Sequence, residues 1–286
     1  MNINIQPNKH IALLLTPRSG STVLRAWLAS SLNYLNLSEL FNVNVVPPKI
    51  LIEGEDVFVS STNQTPSTLN EQEHLLLARD NFQTLTKLTD INQFSVFGVY
   101  LNSYKHGFSA ISDELLSRPD IQIIRVDRAD VLYGILSVAA ANISGQWHNI
   151  SGKNETRSIH PIILDISWVE ELLRDYIRTN EGIKLLFNPP IIYYEQFQKT
   201  PTALINLLNG VPKRIVSASF TKFEGNHKSF IKNLAEVEDF YEQFVNDHKE
   251  YFPQYFGKLP HVQIPACQGR QPRDLSRHDR LRAENC

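Results

Sequence analysis

The chain has 286 residues, room for one large α/β domain or two small ones, and its 42% hydrophobic and 20% charged residues make it an ordinary globular protein able to bury a core. A net charge of −2 excludes wholesale attraction to nucleic acid or to an acidic membrane surface, so any anion site has to be a local basic pocket. No run approaches the roughly 18 apolar residues of a membrane span. With cysteine only at Cys267 and Cys286, the body of the chain holds no thiol for a disulfide, a cysteine zinc site or a cysteine nucleophile.

The opening string MNINIQPNKH lacks the apolar stretch of a secretory signal and leads almost directly into the first strand, which points to the cytoplasm. Residues 11–15, all apolar, read as a buried parallel strand. After a small polar turn, Val23, Leu24, Trp27, Leu28 and Leu32 fall on one face of a helix. Residues 43–70 read as irregular, with Pro47-Pro48 and a Ser/Thr/Asn-rich patch. A helix is expected over 75–88, strands over 94–100 and 121–126, and a helix from about 129 to 142. Residues 168–177 are strongly amphipathic, and 191–194 make a fourth strand.

The next helix has a start and a stop in Thr200, Pro201 and Gly210, and a last amphipathic helix runs from 230 to about 245. From Lys258 the composition turns to Arg, Gln, Asp and Pro without apolar periodicity, so 258–286 reads as a disordered tail behind a domain of residues 1–257. Strands alternating with helices imply an α/β fold whose parallel sheet is covered on both faces.

The run PRSGST at 17–22 joins the first strand to the first helix. A strand, a hydroxyl-rich turn and a helix start together offer backbone N–H groups and a positive helix end to an anion. The run is not a Walker A loop, because the G-x-x-x-x-G-K-[ST] spacing with its lysine and Mg²⁺-binding hydroxyl is missing. Arg18 supplies the fixed charge instead, with hydroxyls from Ser19, Ser21 and Thr22. The same string equally serves as a plain helix N-cap. Nine histidines show no H-E-x-x-H or related spacing, and no metal is expected.

Further strings follow in order: SELFN at 38–42, FGVYL at 97–101, RADVLYGILS at 128–137, GQWH at 145–148, IIYYEQF at 191–197 and FTKFEGNHKSFIKN at 220–233. With TPRSGSTVLRAWL, this series resembles the sulfotransferases that use 3′-phosphoadenosine 5′-phosphosulfate (PAPS) as donor. It is most similar to the bacterial group containing trehalose and nodulation-factor sulfotransferases. The resemblance runs from about residue 11 to residue 244. It implies a P-loop-like central parallel sheet flanked by helices on both faces, transfer of a sulfuryl group to a carbohydrate or glycolipid hydroxyl, and a possible homodimer. No nucleic-acid partner, membrane span or metal is implied.

Carried onto this chain, the resemblance assigns the 5′-phosphosulfate to Arg18, Ser19, Gly20, Ser21 and Thr22. Gly20 would let the backbone approach the anion closely. Arg128 and Ser137 match the pair that holds the donor's 3′-phosphate, provided the ligand lies across the helix start. Arg125 is a rival, since an arginine interrupting an apolar strand needs an anionic partner. The plainer alternative pairs Arg125 or Arg128 with Asp127 or Asp130.

Lys222 and Lys228 flank Gly225, as in a segment that closes over the nucleotide in some members; a solvated basic loop reads the same way. Glu39 in SELFN matches the proposed general base, with His148 in reserve and His106 a third option. Trp147 beside His148 is read as packing. Members often carry a lysine in the strand FGVYL, where this chain has Tyr100, with Lys105 in the following loop. A P-loop kinase and a non-catalytic nucleotide-binding relative remain the alternatives.

Overall fold

The computed structural model describes residues 2–16, 18–41, 49–52, 55–58, 71–100, 108–144, 161–197, 201–212 and 227–252. In chain order the elements are β1 (Ile3–Asn4), β2 (His10–Leu15), α1 (Ser21–Leu32), β3 (Leu35–Asn36), β4 (Lys49–Ile52), β5 (Glu55–Phe58), α2 (Glu71–Asp90), β6 (Ser95–Tyr100) and α3 (Phe108–Ser117). There follow β7 (Ile121–Asp127), α4 (Val131–Ser144), α5 (Ile166–Leu186), β8 (Ile191–Tyr193), α6 (Pro201–Leu207), β9 (Leu208–Asn209) and α7 (Leu234–Asp247). The chain is an α/β protein with a parallel central sheet flanked by helices. The strand order is β3-β6-β2-β7-β8, and every pairing in it is parallel.

β2 lies at the centre of the sheet, and all six of its residues are buried. Its side chains alternate between two cores, as a period of two requires. Ala12 and Leu14 join Phe97 against Phe82 and Leu85 of α2 and Ile111 and Leu115 of α3. Ile11, Leu13 and Leu15 join Ile124 and Val126 against Leu24, Trp27 and Leu28 of α1 and Leu204 and Leu207 of α6. Both faces of the sheet are therefore covered. A third cluster joins Leu136 of α4, Leu173 of α5 and Phe244 of α7.

Several elements differ from the sequence reading. Residues 49–52 and 55–58, expected to be irregular, pair as an antiparallel hairpin. The local apolar content of Ile50, Leu51, Ile52 and Val57 outweighs the nearby prolines. α4 begins at Val131 rather than 129, because the Asp130 carboxylate accepts the Tyr133 N–H (2.8 Å) and caps it there. The last helix begins at Leu234, after a 3₁₀ turn over His227–Phe230. α3, β1, β3 and β9 had no counterpart in the sequence reading. Residues 253–286, which include the tail read as disordered, lie outside the described residues.

At the amino ends of the strands His10 is fully buried. Its Nδ1 accepts the backbone N–H of Ser95 (3.1 Å), so the ring proton sits on Nε2, which faces Leu85 O (3.2 Å) and Thr89 Oγ1 (2.9 Å). Asp120, held by Arg118 at 2.6 Å, completes this polar knot through Thr89 (3.1 Å). Among the described residues no helix is long and apolar enough to cross a membrane.

Candidate functional site

β2 and β7 lie side by side, yet the chain leaves them in opposite directions. α1 leads from β2 towards β3 at one edge, while α4 leads from β7 towards β8 at the other. In open parallel sheets the crevice at the carboxyl ends of such a strand pair is where ligands bind. The run 17–22 follows β2 and Arg128 follows β7, so both flank this crevice. Pro17 itself lies outside the described residues.

The loop after β2 is held in an uncommon conformation. Arg18 has φ 62° and Gly20 φ 73°, both left-handed. For Arg18, a residue with a side chain, that conformation costs about 1–2 kcal/mol and persists only where its surroundings hold it. Gly20 occupies the N-cap position of α1, so no hydroxyl of the run stands there, and the capping role left open by the sequence is not filled by one. Ser19 is 1% exposed, and its hydroxyl has no hydrogen-bond partner among the described residues. A buried hydroxyl without a partner is costly in a resting protein and fits a site awaiting a ligand.

The reason for glycine at position 20 is not only the backbone's approach to an anion. A Cβ there would stand 2.1 Å from Cδ2 of Tyr194, whose ring packs directly on the loop. Gly20→Ala is expected to cost about 1–2 kcal/mol from the left-handed backbone alone, with displacement of the ring in addition. A lower midpoint in urea unfolding measures it.

Tyr194 links the loop to Arg128. Its ring meets Phe197 edge-on, with centroids 5.4 Å apart, and carries the Arg128 guanidinium 4.7 Å from its centroid. Tyr133 on α4 approaches the same guanidinium at 4.7 Å, so Arg128 is held by two aromatic rings. Its Nε lies 3.5 Å from Glu195 Oε1, an ion-pair distance. Glu195 also accepts the backbone N–H groups of Ala129 (2.8 Å) and Asp130 (3.4 Å), just ahead of α4. Arg128 thus pairs with Glu195 rather than with Asp127 or Asp130.

Arg18 reaches across from the first loop, its Nε donating to Ser137 Oγ on α4 at 2.9 Å. Two groups assigned to opposite ends of one ligand, 119 residues apart in sequence, are therefore in direct contact. Burial pushes the Tyr133 and Tyr194 phenols up, while Arg128 and Arg18 both pull them down, so both cations act on the same two rings. Burial also raises the Asp130 and Glu195 carboxyls.

Arg125 is engaged elsewhere. It donates to Asp127 and to Asn180 of α5, on the opposite face of β7 from Val126. It forms the ordinary buried ion pair that a strand arginine requires.

Glu39 is 9% exposed and sits over β6. Its Cγ and Arg25 Nη1 lie 3.3 and 3.1 Å from the point where a Cβ on Gly98 would stand, and Leu15 Cδ1 lies only 2.6 Å away. Glu39 is thus brought beside Arg25 of α1 in a space that only a glycine on β6 leaves open. Lys228 pairs with Glu238 of α7 at 2.6 Å. Lys222, His148, His106, Lys105 and Trp147 lie outside the described residues, as does the side chain of Tyr100. Among the described residues no group of three or more His, Cys, Asp or Glu could hold a metal ion.

The sequence reading did not single out Tyr133, Tyr194, Glu195 or Thr16. The string YYEQ carried the signal: its strand ends at Tyr193, and a 3₁₀ turn over Tyr194–Gln196 swings the next ring over Gly20. The chain matches no protein-family model, no curated protein and no solved structure.

Proposed function

We propose that the protein is a PAPS-dependent sulfotransferase on a P-loop-like sheet, acting on a hydroxyl of a carbohydrate or glycolipid. The observation that carries this reading is the contact of Arg18 with Ser137 beside Arg128, at the carboxyl ends of β2 and β7. The buried hydroxyl of Ser19 and the helix start at Gly20 suit the donor's phosphosulfate end. The first strand of the sheet standing at its centre, with the loop leading into α1, supports the P-loop-like arrangement.

In the reaction the acceptor oxygen forms a bond to sulfur as the bond between sulfur and the bridging phosphate oxygen breaks. Adenosine 3′,5′-bisphosphate leaves, and the hydroxyl proton passes to a base. Arg18 and the loop N–H groups stabilise charge gathering on the bridging oxygen, where a fixed cation in a water-poor pocket is most effective. Arg128, oriented by Tyr133 and Tyr194, and Ser137 hold the 3′-phosphate. Glu39 is the base in this reading. Glu39→Gln is expected to lower kcat about 10²-fold while the dissociation constant for the bisphosphate stays unchanged. An unchanged kcat moves that role to His148. The cytoplasm is the compartment this donor implies.

Titration calorimetry with adenosine 3′,5′-bisphosphate, ATP and ATP–Mg²⁺ tests the donor. Binding of the bisphosphate without Mg²⁺ is expected, whereas preference for ATP–Mg²⁺ makes the protein a kinase. Mass spectrometry of candidate acceptors incubated with PAPS tests turnover. Donor binding with no sulfated product makes it a binding protein.

A further inference from the structure

From the hydrogen bonds beneath the crevice we infer that Asp127 is a positioning residue that ties the two anion pockets together and selects a ligand with two anionic groups at a set separation. The inference rests on the sulfotransferase reading and concerns a residue outside the groups assigned to the donor. Asp127 ends β7 and is 1% exposed. Its Oδ1 accepts the hydroxyl of Thr16 (3.0 Å), at the root of the first loop, and the backbone N–H of Arg128 (2.7 Å), at the root of the second. Its Oδ2 accepts Tyr176 of α5 (3.0 Å) and Arg125.

One carboxylate therefore fixes where both loops leave the sheet, and it is itself held from the far side by α5. Just past the last paired residues of the β2–β7 ladder, the backbone hydrogen bond from Thr16 N–H to Val126 O is longer, at 3.4 Å. The Asp127 bridge is the shorter and charge-assisted tie. Loosening it leaves each pocket's own side chains in place but frees the distance between them. A ligand gripped at one end feels little of this. A ligand gripped at both ends loses the advantage of a preorganised pair.

The experiment compares adenosine 3′,5′-bisphosphate with adenosine 3′-monophosphate and adenosine 5′-monophosphate on the full chain by calorimetry. Asp127→Asn is expected to weaken the bisphosphate about tenfold or more, and either monophosphate by less than about threefold. Thr16→Val removes only the hydroxyl and is expected to shift the same selectivity in the same direction. Thr16→Ser restores the hydroxyl and is expected to restore selectivity, which a purely structural defect would not do. If Asp127→Asn does not fold, the two Thr16 variants decide.

Tight bisphosphate binding with unchanged selectivity in every folded variant overturns the positioning role and leaves the sulfotransferase reading intact. Equal loss for all three nucleotides likewise overturns it. No binding of any nucleotide by the unaltered chain overturns the sulfotransferase reading, and this one with it.

Discussion

Replacing Arg18 by alanine is expected to lower kcat/KM for sulfuryl transfer by about 10³-fold, the scale of losing a preorganised charge at the site of developing negative charge. Two roles end together. On the proposed sulfotransferase reading the guanidinium no longer faces the donor's bridging oxygen, and Ser137 loses the Nε–H that now reaches it at 2.9 Å. Because the left-handed backbone of residue 18 already strains the loop, the truncated side chain also gives up contacts that hold that conformation. Arg18→Lys is expected to recover only part of the rate, since an ammonium lacks the fork that reaches two oxygens at once. Steady-state assays with PAPS at saturating acceptor measure both variants. Transfer by Arg18→Ala within about threefold of the unaltered protein would remove this loop from the chemistry.

The second large effect concerns stability in mild acid. Burial pulls the His10 pKa down to about 4 from its usual 6.5, with Arg118 adding to the fall and Asp120 opposing it. Geometry supplies a further reason: Nδ1 accepts the Ser95 N–H, so a second ring proton would point at a donor. Since the folded pKa lies below the unfolded one, the unfolded chain binds a proton that the native chain refuses. Stability is therefore full above about pH 6.5 and declines as pH falls towards 4, with a total loss from this group of about 3 kcal/mol. Urea unfolding at half-unit pH steps reads the decline. An NMR titration in which the His10 ring stays neutral at pH 5.5 assigns it, and a ring half-protonated near 6.5 refutes it.

Much of the sheet was legible in the sequence because its strands are largely buried and rich in apolar residues; β2 is the clearest case, with Ile11 to Leu15 an unbroken apolar run, while Gln122 and Arg125 interrupt β7. Helix ends were less so, since they depend on single side chains. Asp130 stops its own residue from entering α4, and nothing in a periodicity announces that. Of the candidate site, the loop residues Arg18, Ser19 and Gly20 were named from the strand–turn–helix motif, and Arg128 and Ser137 from the family resemblance. Their environment could not. The ring of Tyr194 over Gly20, the Glu195 carboxylate under Arg128 and the hold of Asp127 on Thr16 all join residues far apart in the chain. Tyr194 was hidden most completely, because it follows a strand directly and reads as one more apolar position in it. Arg125 was ambiguous for the opposite reason: a buried strand arginine announces an anion without saying whether it is a ligand's or the protein's own.

The pairing of β1 with β9, Ile3 beside Leu208 and Asn4 beside Asn209, has a consequence for biosynthesis. β1 is made well before β9 and finds its partner only when the residues between them have been made. Until then Ile3 and Ile5, both shielded in the finished protein, stand open to water. β1 is thus among the last parts of the fold to settle, since contacts spanning so long a loop are formed slowly.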